Sequence, residues 1–133
     1  MSAFTRVPGL YVAQTARKGR GIYTAEFIAS DSLIEICPVI VCSKVDLELI
    51  HKTKLHDYYF MWGENDDHCA IALGYGSLYN HSYQPNARYE VDFEEEVICF
   101  YTIHDVQVGE EVCVNYNGVP EDDQELWFFN EVK

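Results

Sequence analysis

The second half of the chain contains a strict alternation of apolar and polar residues. Tyr89, Val91 and Phe93 alternate with charged residues, and this pattern predicts a half-buried β-strand. The β-rich segment 97–103 follows the glutamate run 94–96. The two segments are therefore predicted to pair as a hairpin whose acidic turn is solvated.

The rest of the chain also favours short strands over helices. Five further segments predict strands: 9–13, 22–25, 58–62, 70–73 and 112–116. Residues 32–42 form a β-rich run interrupted by Pro38, which predicts two short strands because proline belongs at an edge, a bulge or a bend. Ser43 followed by Asp46 is typical of a helix start, so a helix is predicted from there to about residue 58.

The length of the chain indicates how many domains it forms, and its charge indicates which kind of partner it can bind. Its 133 residues fit one domain, which at this size buries roughly 65 to 70% of the surface of the unfolded chain. The 9 Lys and Arg residues against 22 Asp and Glu residues give a formal net charge of -13. This excess argues against direct contact with a nucleic acid and favours a basic macromolecular partner.

The cysteines and histidines do not follow metal-binding or disulfide patterns. The five cysteines are an odd number and include no C-x-x-C pair, so neither a disulfide framework nor a thiolate zinc site is indicated. A reducing compartment, cytoplasmic or nuclear, is expected.

No apolar stretch approaches the roughly 20 residues of a membrane helix, and no secretory signal is recognisable, so neither membrane insertion nor secretion is predicted.

The segment 76–86 is the strongest candidate for a functional site. Asn80, His81 and Asn86 stand close together, beside a turn signalled by Pro85. The apolar residues before Asn80 suggest that the backbone carrying these polar groups is buried. Buried amide side chains need hydrogen-bond partners from the backbone or from a ligand. A solvated turn is the simpler alternative.

Two further motifs flank this segment. The first is the glycine-punctuated loop Lys18-Gly19-Arg20-Gly21, which lets backbone approach a ligand closely. The second is the turn Gly109-Glu110-Glu111, which leads through a strand to Tyr116. Each of these flanking motifs is common when it occurs alone.

In this order and spacing, the three motifs resemble the SET domain family of S-adenosylmethionine-dependent protein lysine methyltransferases. The similarity runs from about Gly9 to Tyr116. It implies a mainly β SET-domain fold of small curled sheets, with a C-terminal pseudoknot and one or two short helices. It also implies a single domain over residues 1–133, with a core at 9–117 and a short aromatic C-terminal segment at 118–133.

The resemblance also implies a cofactor site for S-adenosylmethionine. The implied cofactor-binding residues are Lys18, Gly19, Arg20, Gly21, Tyr23, Asn80, His81, Tyr116 and Trp127. Asn80 and His81 match positions that bind the amino and adenine groups, and Trp127 is the candidate for stacking on the adenine. Tyr116 matches the catalytic tyrosine of the family. No metal is implied, because the cysteine cluster of the family's zinc module is absent from this sequence.

The implied substrate-lysine channel is lined by Tyr58, Tyr79, Tyr89 and Val114. For each of these tyrosines, packing in the core is the alternative role. Val114 stands where phenylalanine or tyrosine often tunes the number of methyl groups added. A hydroxyl from Tyr89 in that role would favour mono- or dimethylation.

Two residues depart from the family pattern. Asn115 stands before Tyr116 where the family usually has aspartate, and Tyr83 follows the Asn-His-Ser motif where it usually has cysteine. The predicted function is methylation of a lysine in a basic, histone-like protein. The departures keep open the alternative of a non-catalytic SET module for protein recognition. A homodimer is also expected, because minimal family members can complete their substrate groove across a two-fold axis.

Overall fold

The computed structural model describes residues 6–63, 65–116 and 121. These residues form nine strands, one α-helix and two short 3-10 turns. The strands are β1 (Leu10–Gln14), β2 (Arg20–Thr24), β3 (Leu33–Cys42), β4 (Tyr59–Trp62), β5 (His68–Ala72), β6 (Asn80–His81), β7 (Ala87–Asp92), β8 (Val97–Thr102) and β9 (Glu111–Val114). The helical segments are α1 (Lys44–Ile50) and the 3-10 turns Lys54–Asp57 and Gly76–Leu78.

The strands build two sheets. One has four strands in the order β1, β2, β9, β6, and the other has five in the order β4, β5, β3, β8, β7. All of these pairs are antiparallel except β6 with β9, which run parallel. The predicted mainly β architecture is confirmed.

The predicted hairpin is formed by β7 and β8. Its register runs from Ala87 opposite Thr102 to Asp92 opposite Val97. The turn residues 93–96 are exposed, and the side chain of Asp92 accepts a hydrogen bond within this turn at 2.9 Å. The acidic run is therefore a solvated turn, as predicted. Val91 and Phe93 are exposed, so the half-burial that the alternation predicts was wrong for these two residues.

β3 is one strand of ten residues, so the prediction of two short strands was wrong. Pro38 lies where the strand changes partner: residues up to Pro38 pair with β8, and residues from Val39 onward pair with β5. Proline has no N–H to donate. Because Pro38 lies where both ladders end, the missing hydrogen bond costs little stability. The strand therefore continues through Pro38 without a break.

The predicted helix start is confirmed, but the predicted end was wrong. Ser43 and Asp46 form a reciprocal capping box, with bonds of 3.2 and 3.3 Å between each side chain and the other residue's N–H. The α-helix ends at Ile50, because Thr53 caps a separate 3-10 turn by accepting a bond from the Leu55 N–H at 3.1 Å. Among the described residues, no helix is long and apolar enough to cross a membrane.

The hydrophobic core draws on both sheets. Its largest fully buried apolar side chains include Ile22, Val112 and Val114 from the four-stranded sheet and Ile34, Ile98 and Phe100 from the five-stranded sheet. Burial of each such side chain contributes roughly 1.5 to 3 kcal/mol. This core holds β2, β6 and β9 side by side, where the three sequence motifs meet.

The middle and C-terminal motifs are bound directly to each other. Besides the parallel pairing of β6 with β9, the N–H of Ser82 donates to the carbonyl of Val114 at 2.9 Å. The side-chain amide of Asn86 donates to the Glu111 carbonyl at 2.8 Å and accepts from the Cys113 N–H at 2.9 Å. Asn86 thus pairs with β9 as a strand residue would, which joins the two segments that the resemblance places in the pseudoknot.

Candidate active site

The loop between β1 and β2 is a tight glycine turn. The N–H of Thr15 donates to the Gly19 carbonyl at 2.7 Å, and the N–H of Lys18 donates to Thr15 Oγ1 at 2.7 Å. Gly19 has a φ of +73°, with open space where a Cβ would stand. The turn therefore leaves bare backbone at its tip.

The ammonium group of Lys18 contacts both β6 and β9. Its Nζ donates to the carbonyl oxygen of His81 at 3.3 Å and lies 3.7 Å from the Glu111 carboxylate. The sulfur of Cys113 is 3.9 Å away. A carbonyl and a carboxylate thus form a position that accepts a positively charged amine.

The side chain of Asn80 connects three strands. It is only 3% exposed, and its Nδ2 donates to the carbonyl of Arg20 at 3.1 Å and to the carboxylate of Glu111 at 2.7 Å. These bonds tie β6 to both β2 and β9. The structure therefore brings the glycine turn and the Asn-His-Ser motif into direct contact.

Gly21 lies where β2 approaches this network most closely. A Cβ at Gly21 would collide with the Glu111 carboxylate and stand 2.7 Å from Asn80 Nδ2. We expect Gly21→Ala to lower the free energy of unfolding by about 3 kcal/mol, because the clash is with the buried Asn80 amide and with the Glu111 carboxylate that Asn80 and Lys18 hold in place. Urea denaturation measures this loss.

The matched control for this substitution is Gly19→Ala. It meets no atom within 4 Å, so only its left-handed φ is costly, by about 1 kcal/mol. Equal losses of stability in the two variants would contradict a steric role for Gly21.

His81 holds the backbone of Tyr116. The N–H of Tyr116 donates to Nδ1 of His81 at 3.0 Å, so Nδ1 acts as an acceptor. The ring centroids of His81 and Tyr116 lie 5.2 Å apart, and the ring of Tyr83 packs edge-on against that of His81, with centroids 4.3 Å apart. The sequence predicts a ligand role for His81, and the structure adds a role in positioning Tyr116.

The hydroxyl of Tyr116 is also fixed. It donates to the carbonyl oxygen of Tyr79 at 2.7 Å. Burial raises the pKa of Tyr116 far above its ordinary value, and the neighbouring Cys113, Tyr58 and acidic side chains raise it further. Tyr116 is therefore a neutral phenol at physiological pH.

The ring of Tyr79 is packed in the core. Its side chain is buried, its ring packs on Phe100 with centroids 4.4 Å apart, and its hydroxyl donates to Glu35 Oε1 at 2.6 Å. Its carbonyl accepts from the Tyr116 hydroxyl. Core packing is the alternative role that the sequence leaves open for this tyrosine, and its place in a substrate channel stays a prediction.

Glu35 anchors this buried region. Its side chain is 2% exposed, and its Oε2 accepts from the N–H of Tyr75 at 3.0 Å and from Nη1 of Arg6 at 3.2 Å. The guanidinium of Arg6 also stacks 3.8 Å above the Tyr75 ring. The carboxylate therefore has donors on both oxygens, as a buried charge requires.

Of the other predicted channel residues, two tyrosines lie near Tyr116 and one valine lies in the core. Tyr89 approaches Tyr116, with its hydroxyl 3.5 Å from the Tyr116 carbonyl, and burial raises the pKa of Tyr89 to about 12. Tyr58 is close enough to raise the pKa of Tyr116, and its carbonyl accepts from Ser77 Oγ at 3.0 Å. Val114 is buried in the hydrophobic core.

The remaining predicted ligands lie at the edge of the site or beyond it. Tyr23 stands opposite Glu111 in the sheet, and its ring stacks on Tyr11 at 6.0 Å. Burial, followed by the Glu111 charge, raises the pKa of Tyr23. Trp127 lies outside the described residues. Within the part of the chain that the structure describes, no three side chains of metal-binding type cluster together.

The sequence analysis missed the roles of two carboxylates. Glu111 was read only as part of a turn, yet it contacts both Lys18 and Asn80. Glu35 is a single charge within the apolar run of β3. That isolated charge was an available signal, because a carboxylate in a buried strand needs partners.

The comparison with known families decides the identity of the fold. Residues 19–117 match the SET domain family. This chain belongs to the SET domain family. The predicted SET-domain fold is confirmed, because the domain is similar to the crystal structure of a Plasmodium falciparum protein assigned as a histone methyltransferase. The TM-score is 0.64 and the identity 26%, over 90% of this chain and 96% of that one.

A relative in another organism is more similar in sequence. The SET domain is 35% identical over 123 residues to the histone-lysine N-methyltransferase, H3 lysine-37 specific, of Schizosaccharomyces pombe. The match covers 92% of this chain and 78% of that protein.

The two departures from the family pattern have defined places in this SET domain. Asn115 is buried directly before Tyr116, and Tyr83 packs on His81. Tyr83 thus supports the histidine of the Asn-His-Ser motif with an aromatic contact. Neither departure removes the hydrogen bonds that hold Tyr116.

Proposed function

We propose that this SET domain is a protein lysine N-methyltransferase that uses S-adenosylmethionine and acts on a lysine of a basic, histone-like protein. The observation that carries the proposal is the placement of Tyr116. Its backbone is bonded to His81 and its neutral hydroxyl to the Tyr79 carbonyl, at the junction of the Asn-His-Ser motif and β9. The H3 lysine-37 specificity of the fission-yeast relative supports a histone-like substrate.

The residues around the glycine turn fit a positively charged, amino-acid-like cofactor. The ammonium group of such a ligand needs oxygen acceptors, and the His81 carbonyl and Glu111 carboxylate already hold the Lys18 ammonium. Its carboxylate needs donors, which the bare backbone at Gly19 and the exposed Arg20 supply. The residues that we assign to cofactor binding are Lys18, Gly19, Arg20, Gly21, Tyr23, Asn80, His81 and Tyr116, with Trp127 as a further candidate.

The acceptor lysine must lose a proton before it reacts. With an ordinary pKa of about 10.4, the neutral amine costs about 4.6 kcal/mol at pH 7. The half-buried tyrosines Tyr58 and Tyr89 beside Tyr116 lower this cost by desolvating the ammonium group. When bound, S-adenosylmethionine supplies a methyl group on a positively charged sulfonium.

Tyr116 positions the amine rather than deprotonating it. Because its hydroxyl donates to the Tyr79 carbonyl, the phenolic oxygen is held in one position, from which it would accept from the lysine amine. A neutral phenol with a raised pKa is a poor base at pH 7. Orientation of the amine toward the methyl group is therefore the contribution of Tyr116 to the reaction.

The charge of the chain supports a basic protein partner. The formal charge is -13, and part of it comes from the three glutamates of the exposed hairpin turn at residues 94–96. These glutamates attract lysine-rich segments at low salt. A nucleic acid would be repelled. Homodimerisation and a cytoplasmic or nuclear location stay predictions.

Two measurements test the proposed function. Calorimetric titration with S-adenosylmethionine is expected to give saturable binding, and incubation with methyl-labelled cofactor and a panel of basic proteins is expected to label lysines of histone tails. Binding without any labelled lysine would favour the alternative, a non-catalytic recognition module. Absence of both signals would refute the cofactor assignment as well.

A further inference from the structure

Cys42 and Cys69 form a cysteine pair across two neighbouring strands. They stand directly opposite each other, at the end of β3 and near the start of β5. All five cysteines of the chain carry free thiols. The other three face different residue types in their ladders: Cys37 faces Ile98, Cys99 faces Ile36 and Glu90, and Cys113 faces Asn80.

The strand pairing brings these two thiols within bonding range. Directly opposed residues of an antiparallel pair have Cα atoms about 4.5 to 5.5 Å apart, and disulfides span about 4.4 to 6.8 Å. Their Cβ atoms, about 4.5 to 5.5 Å apart, must draw together slightly to reach the roughly 3.5 to 4.5 Å of a disulfide. Cys42 is the last residue of β3, where the ladder can yield. A bond formed under such strain is readily reduced.

The two opposed thiols differ in their exposure to solvent. Burial, and then the neighbouring Cys42 thiol, raise the pKa of Cys69 to about 11. Cys69 is fully buried, whereas Cys42 is partly exposed and donates to the Ile40 carbonyl at 3.8 Å. Cys42 is therefore the thiol that meets a reagent from solvent, and Cys69 is placed to react with it next.

We propose that Cys42 and Cys69 form a reversible redox site, in which a peroxide oxidises the two thiols to a cross-strand disulfide. The Cys42 thiolate attacks one peroxide oxygen, which gives a sulfenic acid and, after protonation of the leaving hydroxide, one water. The Cys69 sulfur then displaces the sulfenic hydroxyl, which leaves as a second water. Two thiols are oxidised, and one peroxide is reduced to two waters.

The disulfide closes a loop over residues 43–68, which contains α1, the first 3-10 turn and β4. This loop also carries Asp57 and Tyr58, both close enough to raise the pKa of Tyr116. Oxidation therefore restrains a segment beside Tyr116. The redox site itself does not depend on the proposed methyl transfer.

Peroxide treatment of the full chain tests the proposal. Oxidation by hydrogen peroxide is expected to lower the mass by about 2 Da and to reduce the titratable thiols of the denatured protein from five by two. Peptide mapping is expected to join Cys42 to Cys69, and dithiothreitol is expected to reverse the change. The melting temperature should rise by roughly 5 to 10 °C on oxidation.

Two variants sharpen this test. Cys42→Ser, at a partly exposed position, is expected to abolish the mass loss of about 2 Da that formation of the disulfide causes. The control Cys99→Ser is expected to show the same mass loss as the unchanged protein. Cys69→Ala keeps a small apolar side chain in the buried position and should behave like Cys42→Ser. Retention of all five thiols, a bond mapped to another pair, or undiminished disulfide formation in Cys42→Ser would each overturn the proposal.

Discussion

Substitution of Tyr116 by phenylalanine is expected to lower kcat for methyl transfer by about 100-fold, while cofactor affinity changes by less than about threefold. The hydroxyl that donates to the Tyr79 carbonyl is lost, and with it the oxygen that orients the lysine amine. The Tyr116 N–H bond to His81 does not involve the hydroxyl and is retained. Single-turnover kinetics with labelled cofactor, together with calorimetric titration, separate the two effects.

Tyr89→Phe is the matched control for this substitution. Tyr89 is also a half-buried tyrosine at the site, but its hydroxyl only approaches the Tyr116 carbonyl, at 3.5 Å. We expect its removal to lower kcat by less than about tenfold, because a long hydrogen bond contributes little. Undiminished turnover in Tyr116→Phe, or equal losses in the two variants, would contradict the role assigned to Tyr116.

The secondary structure was predictable wherever one local rule acted alone. The β7–β8 hairpin followed from alternation, and the Ser43 capping box followed from two residues three apart. The predictions failed where tertiary pairing overrode a local signal. Pro38 did not break β3, because it lies where the strand exchanges β8 for β5.

The candidate site was also predictable only in part. Through the resemblance to the SET domain family, the three motifs predicted that Asn80, His81 and the Tyr116 segment belong to one site. The contacts of Glu111 were not predictable from spacing, because they depend on how β2, β6 and β9 meet in three dimensions. The hydrogen bond of Tyr79 to Glu35 was not predictable either, because Glu35 lies 44 residues away in the chain.

Glu35→Ala is expected to lower the free energy of unfolding by about 3 to 5 kcal/mol. Removal of the carboxylate takes the acceptor away from the Tyr79 hydroxyl, the Tyr75 N–H and the Arg6 guanidinium. The Tyr79 hydroxyl is buried, so its unsatisfied donor alone costs about 1 to 3 kcal/mol. Urea denaturation followed by tryptophan fluorescence measures the loss.

Two smaller substitutions determine which part of the Glu35 network matters most. Tyr79→Phe takes the donor away from Oε1 of the buried Glu35 carboxylate, which keeps its two donors on Oε2, so we expect a loss of about 1 to 3 kcal/mol. Arg6→Ala removes a partner that is 36% exposed, where solvent screening keeps an ion pair near 0 to 1 kcal/mol. If Arg6→Ala were as damaging as Glu35→Ala, the ion pair rather than the Tyr79 hydrogen bond would be the main stabilising contact. Because Tyr79 also supplies the carbonyl that fixes Tyr116, displacement of its ring in Glu35→Ala should lower kcat as well as stability.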